Sequence, residues 1–428
     1  MTESNQSIRA PRTGAETTQV VSKMIPAFAK AEGGLFGNVL KADVGDAVSG
    51  MGDVTLMSWA DPFYPDRSTP EHVVRAAVRA LEEGPGGHYT PPVGSAALKE
   101  AIARRFERRY GLKLEPQRNI LITPGSDSGL FFAILPFLRE GDEVLIPDPS
   151  YPNNTQDVEI LGGVPVRVPL KAEYGFQPRA EDFAARITPK TKMVILTNPN
   201  NPTTTVIRRE NLEALCRLIV EHDLVLVVDQ AFEEPVFDGV EMVAAASLPG
   251  MWERTLTVCS LSKGMGLSGY RVGYIVTDDR IMDKLYGCTV AVLGAPNTAA
   301  QYGAIAAMED DAFMENISAR LLERRNLVYE KLSGIPGVTI YKSESGFLSW
   351  LDVSRLGTDA EVTAYLRDHA RVSVNPGTPY GPEGAGHLRI VHGVLGSDDR
   401  LEDCLDRIAA ALRALAAEKG IQKEDGTW

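Results

Sequence analysis

Several short segments of the 428-residue chain pair a reactive side chain with a local setting that could use it. In CSLSKGMGLSGYRVGY, Lys263 follows a β-branched run, with Ser260 three residues before it and Arg271 eight after. Such a lysine is either a surface residue laying its stem on apolar ground or, where burial lowers its pKa, a nucleophile and base. The same segment holds Gly264, Gly266 and Gly269 at the spacing of a dinucleotide-binding turn. That turn must lead into a helix, whereas here the strand-like RVGYIV begins at once, so the nicotinamide reading fails on context. TPGSDSGL follows the apolar NILI and opens a helix, which turns the backbone N–H groups of Ser126 and Asp127 toward a phosphate. LVLVVDQAF ends an apolar run in Asp229, either a buried carboxylate that holds a cation or the N-cap of the next turn. In GHLRIVHG, Arg389 offers a planar fork matched to a carboxylate; otherwise it is a solvated strand residue.

The elements that must position these residues alternate between strand and helix. PEHVVRAAVRALEEG and SAALKEAIARRFERRYG show 3.6-residue apolar periodicity around the turn-rich GPGGHYTPPVG, which predicts two helices flanking a loop. NILITP, DEVLIPD, KMVILTN, LVLVVD, TLTVCSLS and RVGYIVT read as short strands with helical stretches between most of them. Strands this continuously apolar belong in a mostly parallel sheet covered on both faces, so the predicted class is α/β. After about Met314 the pattern changes to a long helix, SARLLERRNLVYEKLSG, then to mixed elements, and ends in the amphipathic DDRLEDCLDRIAAALRALAAEKG.

Taken in order, these segments resemble those of the fold-type I, class I/II aminotransferases, and the likeness spans roughly residues 50 to 415. The resemblance implies a three-layer αβα large domain over residues 76–314 that binds pyridoxal 5′-phosphate (PLP). A smaller α+β domain over 31–75 and 315–428 and a flexible arm over 1–30 complete the expected organisation. By the same resemblance Lys263 carries PLP as a Schiff base and Asp229 pairs with the pyridine nitrogen. Asn201, in LTNPNNPT, bonds the phenolic oxygen and borders the substrate, and Tyr151, in DPSYPN, stacks on the ring. Ser126, Asp127, Ser260 and Arg271 hold the phosphate, Tyr89 reaches the phosphate of a partner subunit, and Arg389 binds the substrate carboxylate. The active form is therefore expected to be a homodimer. The amino-acid substrate would form an external aldimine and a quinonoid, with a keto acid as acceptor in transamination.

Four departures from the family pattern bear on the outcome. Phe232 stands where a tyrosine would donate to the ring oxygen, and Thr204 stands where a glycine is expected after NPNNPT. Trp59 and Ala60, in SWADP, replace an aliphatic residue and a glycine of the substrate pocket, and Asp127 puts an acid beside the phosphate. Alternatives to transamination are γ-elimination or replacement on an S-adenosylmethionine-like substrate, for which SLSKGMGLSGYRVG also resembles the aminocyclopropane-carboxylate synthases, and O2-dependent oxidation. A non-catalytic PLP-binding regulator is the remaining one, although no basic N-terminal module accompanies it.

With 44% hydrophobic and 24% charged residues, the composition is that of an ordinary globular protein. A net charge of −13, with Lys and Arg dispersed among acids, argues against nucleic acid as a partner. Cys216, Cys259, Cys288 and Cys404 are too scattered for a metal site and read as reduced core residues. The polar opening MTESNQSIRAPRTGAETTQ and apolar runs of only strand length lead to the expectation of a cytoplasmic protein without a membrane span.

Overall fold

The computed structural model describes residues 53–422. The expected arm over 1–30, the beginning of the expected small domain, and the last six residues lie outside the described residues.

After a two-residue strand β1 (Thr55–Leu56) come the helices α1 (Glu71–Glu82) and α2 (Ala96–Tyr110). The sequence predicts both, and the Ser95 side chain caps α2 while Gly111 ends it in the left-handed region. Seven strands then build one sheet: β2 (Ile120–Thr123), β3 (Glu143–Asp148), β4 (Val164–Pro169), β5 (Thr191–Thr197), β6 (Val225–Gln230), β7 (Thr255–Ser260) and β8 (Gly273–Val276). Their order is β2-β8-β7-β6-β5-β3-β4, and every pairing is parallel except those of β8.

Neighbouring residues of the central strands face opposite layers. Leu226 and Val228 pack with the helix α4 (Arg209–Glu221), while Val227 joins the cluster built on α3 (Ser126–Ile134) and α5 (Asp279–Val292). The αβα expectation is thus met, and burial on both sides explains the unbroken apolar runs. The sequence reading overlooked β4, whose VPVRVP carries two prolines and an arginine. It lies at the sheet edge, where a missing backbone donor costs no ladder hydrogen bond. A second correction concerns Cys288: Cys216, Cys259 and Cys404 are buried, but Cys288 is exposed on α5.

Past the helix α6 (Thr298–Met308), the long helix α7 runs from Asp311 to Leu332, about two turns earlier than the periodicity suggests, because the Asp310 side chain caps it at Phe313. A four-stranded antiparallel sheet follows, in the order β12 (Asn375–Pro376), β13 (His387–Val391), β10 (Leu348–Asp352) and β9 (Thr339–Tyr341). β11 (Val372–Ser373) pairs with β1, and α8 (Asp398–Glu418) covers the remaining apolar side. This cluster also takes in Met57, Phe63, Phe232 and Phe237. Among the described residues no helix is long and apolar enough to cross a membrane.

Candidate active site

Strands β2, β3, β5, β6 and β7 run in one direction, so their carboxyl ends, together with the start of the opposed β8, meet along one edge of the sheet. Open α/β sheets bind ligands at that edge. A cavity of about 520 Å³ lies there, lined by Ser126 and Asp127 after β2, Tyr151 after β3, Asn201 after β5, and Asp229 and Phe232 at the end of β6. Ser260 and Lys263 follow β7, Arg271 precedes β8, Arg389 comes from β13, and Trp59 with Ala60 closes one wall. Every site residue picked out from the sequence lines this cavity except Tyr89, which is 94% exposed outside it.

Each group is held for identifiable reasons. Asp229 is 3% exposed, and its carboxylate accepts from the Ala231 N–H at 3.0 Å and bonds the Thr197 side chain across β5. Burial raises its pKa to about 7, and it forms no ion pair among the described residues. The Lys263 ammonium donates to the Ala60 carbonyl and lies 6.0 Å from the centre of the Phe232 ring. Burial lowers its pKa to about 8, against the opposing pull of Asp127 and Asp61 and with help from Arg389 and Arg271.

At the N-terminus of α3, Gly125 adopts φ +84 before the first turn, and a Cβ there would stand 2.4 Å from Nη2 of Arg271. The close approach of guanidinium and helix N-terminus therefore requires glycine. The Arg271 backbone itself lies at φ +52, with Nη1 donating to the Ser268 carbonyl at 3.2 Å. The Ser260 hydroxyl accepts from the Ser262 N–H at 3.2 Å. Asp127 lines the cavity: its Oδ1 accepts from the Tyr151 hydroxyl at 3.1 Å, and its Oδ2 lies 3.5 Å from Arg271 Nη2.

Arg389 is buried rather than solvated. Its Nε and Nη2 donate to Asn375 Oδ1 at 3.1 and 2.7 Å, its Nη1 to Asn201 Oδ1 at 3.1 Å, and its Nη2 also to the Ser58 carbonyl at 3.0 Å. Asn375 is a residue that sequence reasoning missed, since a lone Asn before Pro-Gly reads only as a turn. Asp61, Ser58, Ala231, Ser262, Ser268 and Gly269 also line the cavity unforeseen; Asp61 adjoins the Trp59–Ala60 pair and could have been flagged with it. Thr204 holds φ +64, a conformation that favours glycine, and two contacts fix it there. Its Oγ1 accepts from the Glu344 N–H at 3.3 Å, and its carbonyl accepts from the Ser345 hydroxyl at 2.9 Å. Phe232 is buried against Phe347, ring centres 5.4 Å apart, and edges the cavity.

An α/β sheet that gathers a lysine of lowered pKa, a buried carboxylate without an ion pair among the described residues, a helix N-terminus beside an arginine, and a second buried arginine is built as a cofactor-dependent enzyme site is, with an arginine suited to a carboxylate group. The family model for aminotransferase class I and II matches residues 53–408, and the chain belongs to that family of PLP-dependent transferases acting on amino acids. It is 33% identical to aromatic-amino-acid aminotransferase 2 of Thermococcus litoralis, over 82% of this chain and 90% of the relative. It is 34% identical to the arginine–pyruvate transaminase of Pseudomonas aeruginosa, over 82% and 88%. The solved aspartate aminotransferase of Thermus thermophilus, as a single mutant, superposes with a TM-score of 0.81 at 30% identity, covering 91% of this chain and 99% of that one.

Proposed function

We propose that the protein transfers the amino group of an α-amino acid to a keto acid with PLP carried on Lys263. The observation that supports this best is Asp229: a buried carboxylate that lines the cavity and forms no ion pair among the described residues suits a protonated pyridine nitrogen. The donor set fits the rest of the cofactor. Backbone N–H groups of Ser126 and Asp127 with Ser260 and Arg271 take the phosphate, Asn201 takes the phenolic oxygen, and Tyr151 covers one ring face. Bound there, PLP supplies an electron sink for charge that develops at the substrate Cα.

The chain's own groups account for the remaining work. Arg389, preset by Asn375 and Asn201, binds the α-carboxylate and so orients the Cα–H bond. The Lys263 amine, its pKa lowered to about 8, is partly unprotonated near neutral pH and removes the Cα proton once substrate has displaced it. Asp229 holds the ring-nitrogen proton in place. Phe232 lends no hydrogen bond, which leaves Asn201 as the donor to the ring oxygen.

A homodimer and a cytoplasmic location are part of the same proposal. The Tyr89 loop is tied to α6, with the Thr298 hydroxyl donating to the His88 carbonyl at 2.6 Å. Tyr89 thereby stands exposed, in a chain that also exposes Val290 and Val292 at the end of α5, which suits a residue that completes a partner's phosphate site. Within the described residues, we further assign 76–314 to the cofactor-binding domain and 53–75 with 315–422 to the smaller one, the boundaries falling inside α1 and α7. The test is to incubate the cofactor-loaded enzyme with amino acids, with and without a keto acid. Keto-acid-dependent turnover by alternating half-reactions is expected; ammonia, peroxide or methylthioadenosine as the main product would overturn the assignment.

A further inference from the structure

The cavity carries more negative charge than the reaction uses. Its cations are Lys263, Arg271 and Arg389, and the reading above employs all three, on the cofactor carbonyl, the phosphate and the substrate α-carboxylate. Its acids are Asp229, which the pyridine nitrogen takes up, and Asp61 and Asp127, which neither cofactor nor α-carboxylate needs as acids. The Asp61 carboxylate has no hydrogen bond or ion pair among the described residues, yet it stands close enough to Lys263 to act on its protonation. Asp127 is half exposed. Its Oδ1 accepts from Tyr151 and, at 3.4 Å, from Asn153, but its Oδ2 has only Arg271 at 3.5 Å, a cation that a phosphate would claim. The 42% exposed indole of Trp59 lines the same cavity, a surface on which a flat cation can rest.

We infer that this cavity takes an amino acid ending in a cation, a guanidinium or an ammonium group. A substrate of that class brings a side-chain positive charge for the surplus carboxylates to meet; a dicarboxylic side chain would add a third negative charge to those of Asp61 and Asp127 without a free cation to meet it. A neutral apolar side chain would leave both acids solvated and gain nothing from them. The selectivity is electrostatic in origin, because Asp127 already has its orientation fixed by Tyr151 and Asn153 and loses little freedom on pairing.

This inference rests on the aminotransferase reading, and one experiment separates the two. The PLP-loaded enzyme is assayed with arginine against its uncharged isostere citrulline, lysine against norleucine, and glutamate, with a common keto acid. The expected result is a kcat/KM about tenfold or more higher for each cationic member, with glutamate the poorest. In Asp61→Asn and Asp127→Asn the arginine-to-citrulline ratio falls several-fold, whereas a purely structural lesion lowers both substrates together and leaves the ratio intact. Citrulline or glutamate used as well as arginine, or a ratio unmoved in both variants, overturns the inference and leaves the aminotransferase reading standing. Absence of turnover with every amino acid overturns that reading and the inference with it.

Discussion

Asp229 and Glu233 stand four residues apart, 3% and 4% exposed, and the protein treats them in opposite ways. Glu233 is surrounded. The Tyr110 hydroxyl donates to it at 2.5 Å, Arg105 lies at 3.5 Å and Arg109 at 4.0 Å, and both arginines also engage Glu234. Asp229 has neighbouring dipoles and feels Lys263 at a distance, but it forms no ion pair among the described residues. A buried charge without a partner costs stability, so its retention marks a place completed by something other than the chain itself. The two lysines of lowered pKa repeat the contrast. Lys99, also brought to about 8 by burial, is fully enclosed and spends its proton on the Tyr286 hydroxyl at 2.9 Å, whereas Lys263 faces the cavity. Perturbed ionisation alone does not separate working residues from structural ones here; facing the cavity does.

The strongest way to break this comparison is to neutralise each acid in turn. Asp229→Asn should lower kcat by roughly 10³-fold while stabilising the cofactor-free protein. A folded-state pKa raised from 3.8 to about 7 means that the native state binds the proton more tightly than the unfolded chain. Stability from this group is therefore lost as pH rises from about 4 to about 7, and the loss is on the order of 4 kcal/mol above that window. Urea titrations of the apo proteins should show the variant more stable at pH 8 and the gap closing toward pH 4. Glu233→Gln should do the reverse, lowering stability by about 1–3 kcal/mol as Arg105 and Arg109 keep Glu234 but lose the second carboxylate charge beside them, with a smaller effect on turnover. Equal stability changes in the two variants would erase the distinction.

Next in size is Arg389→Ala, which should cost about 2–4 kcal/mol in kcat/KM for α-amino acids and little for the corresponding amines. Steady-state kinetics with matched acid and amine pairs decides it, since equal losses would make Arg389 structural. Phe232→Tyr should lower the pKa of the visible cofactor band by about one to two units, the worth of a hydrogen bond to a charged oxygen. An unshifted spectrophotometric titration would show that the new hydroxyl does not reach the ring. The smallest effect is expected for Asn375→Ala, which frees one end of the Arg389 fork: KM should rise by about five- to tenfold with kcat nearly unchanged, for the loss of about 1–1.5 kcal/mol of positioning.

Much of this was legible in the sequence. The strand ends announce themselves because apolar runs stop at Asp229, at Ser260 and before Ser126, and the order of those stops matches a family pattern. What the sequence could not carry is the approach of distant backbone. Asn375 lies beside Arg389 only because β12 pairs with β13, and Ser58 arrives from the other end of the chain to accept the same guanidinium. Thr204 looks like a defect in a glycine position until Glu344 and Ser345 are seen to fix it in the left-handed region from 140 residues away. β4 was missed because its prolines break the apolar alternation that an interior strand would keep.

That Lys263, and not another buried lysine such as Lys99, carries the cofactor is open to a direct chemical test. Reducing the PLP-loaded enzyme with borohydride and mapping its peptides by mass spectrometry tests this directly. The account predicts a phosphopyridoxyl group on the peptide containing Lys263 alone, and neither label nor visible band in Lys263→Ala of unchanged thermal stability. Label on Lys99 or any other lysine, or a persistent visible band in the alanine variant, would contradict it.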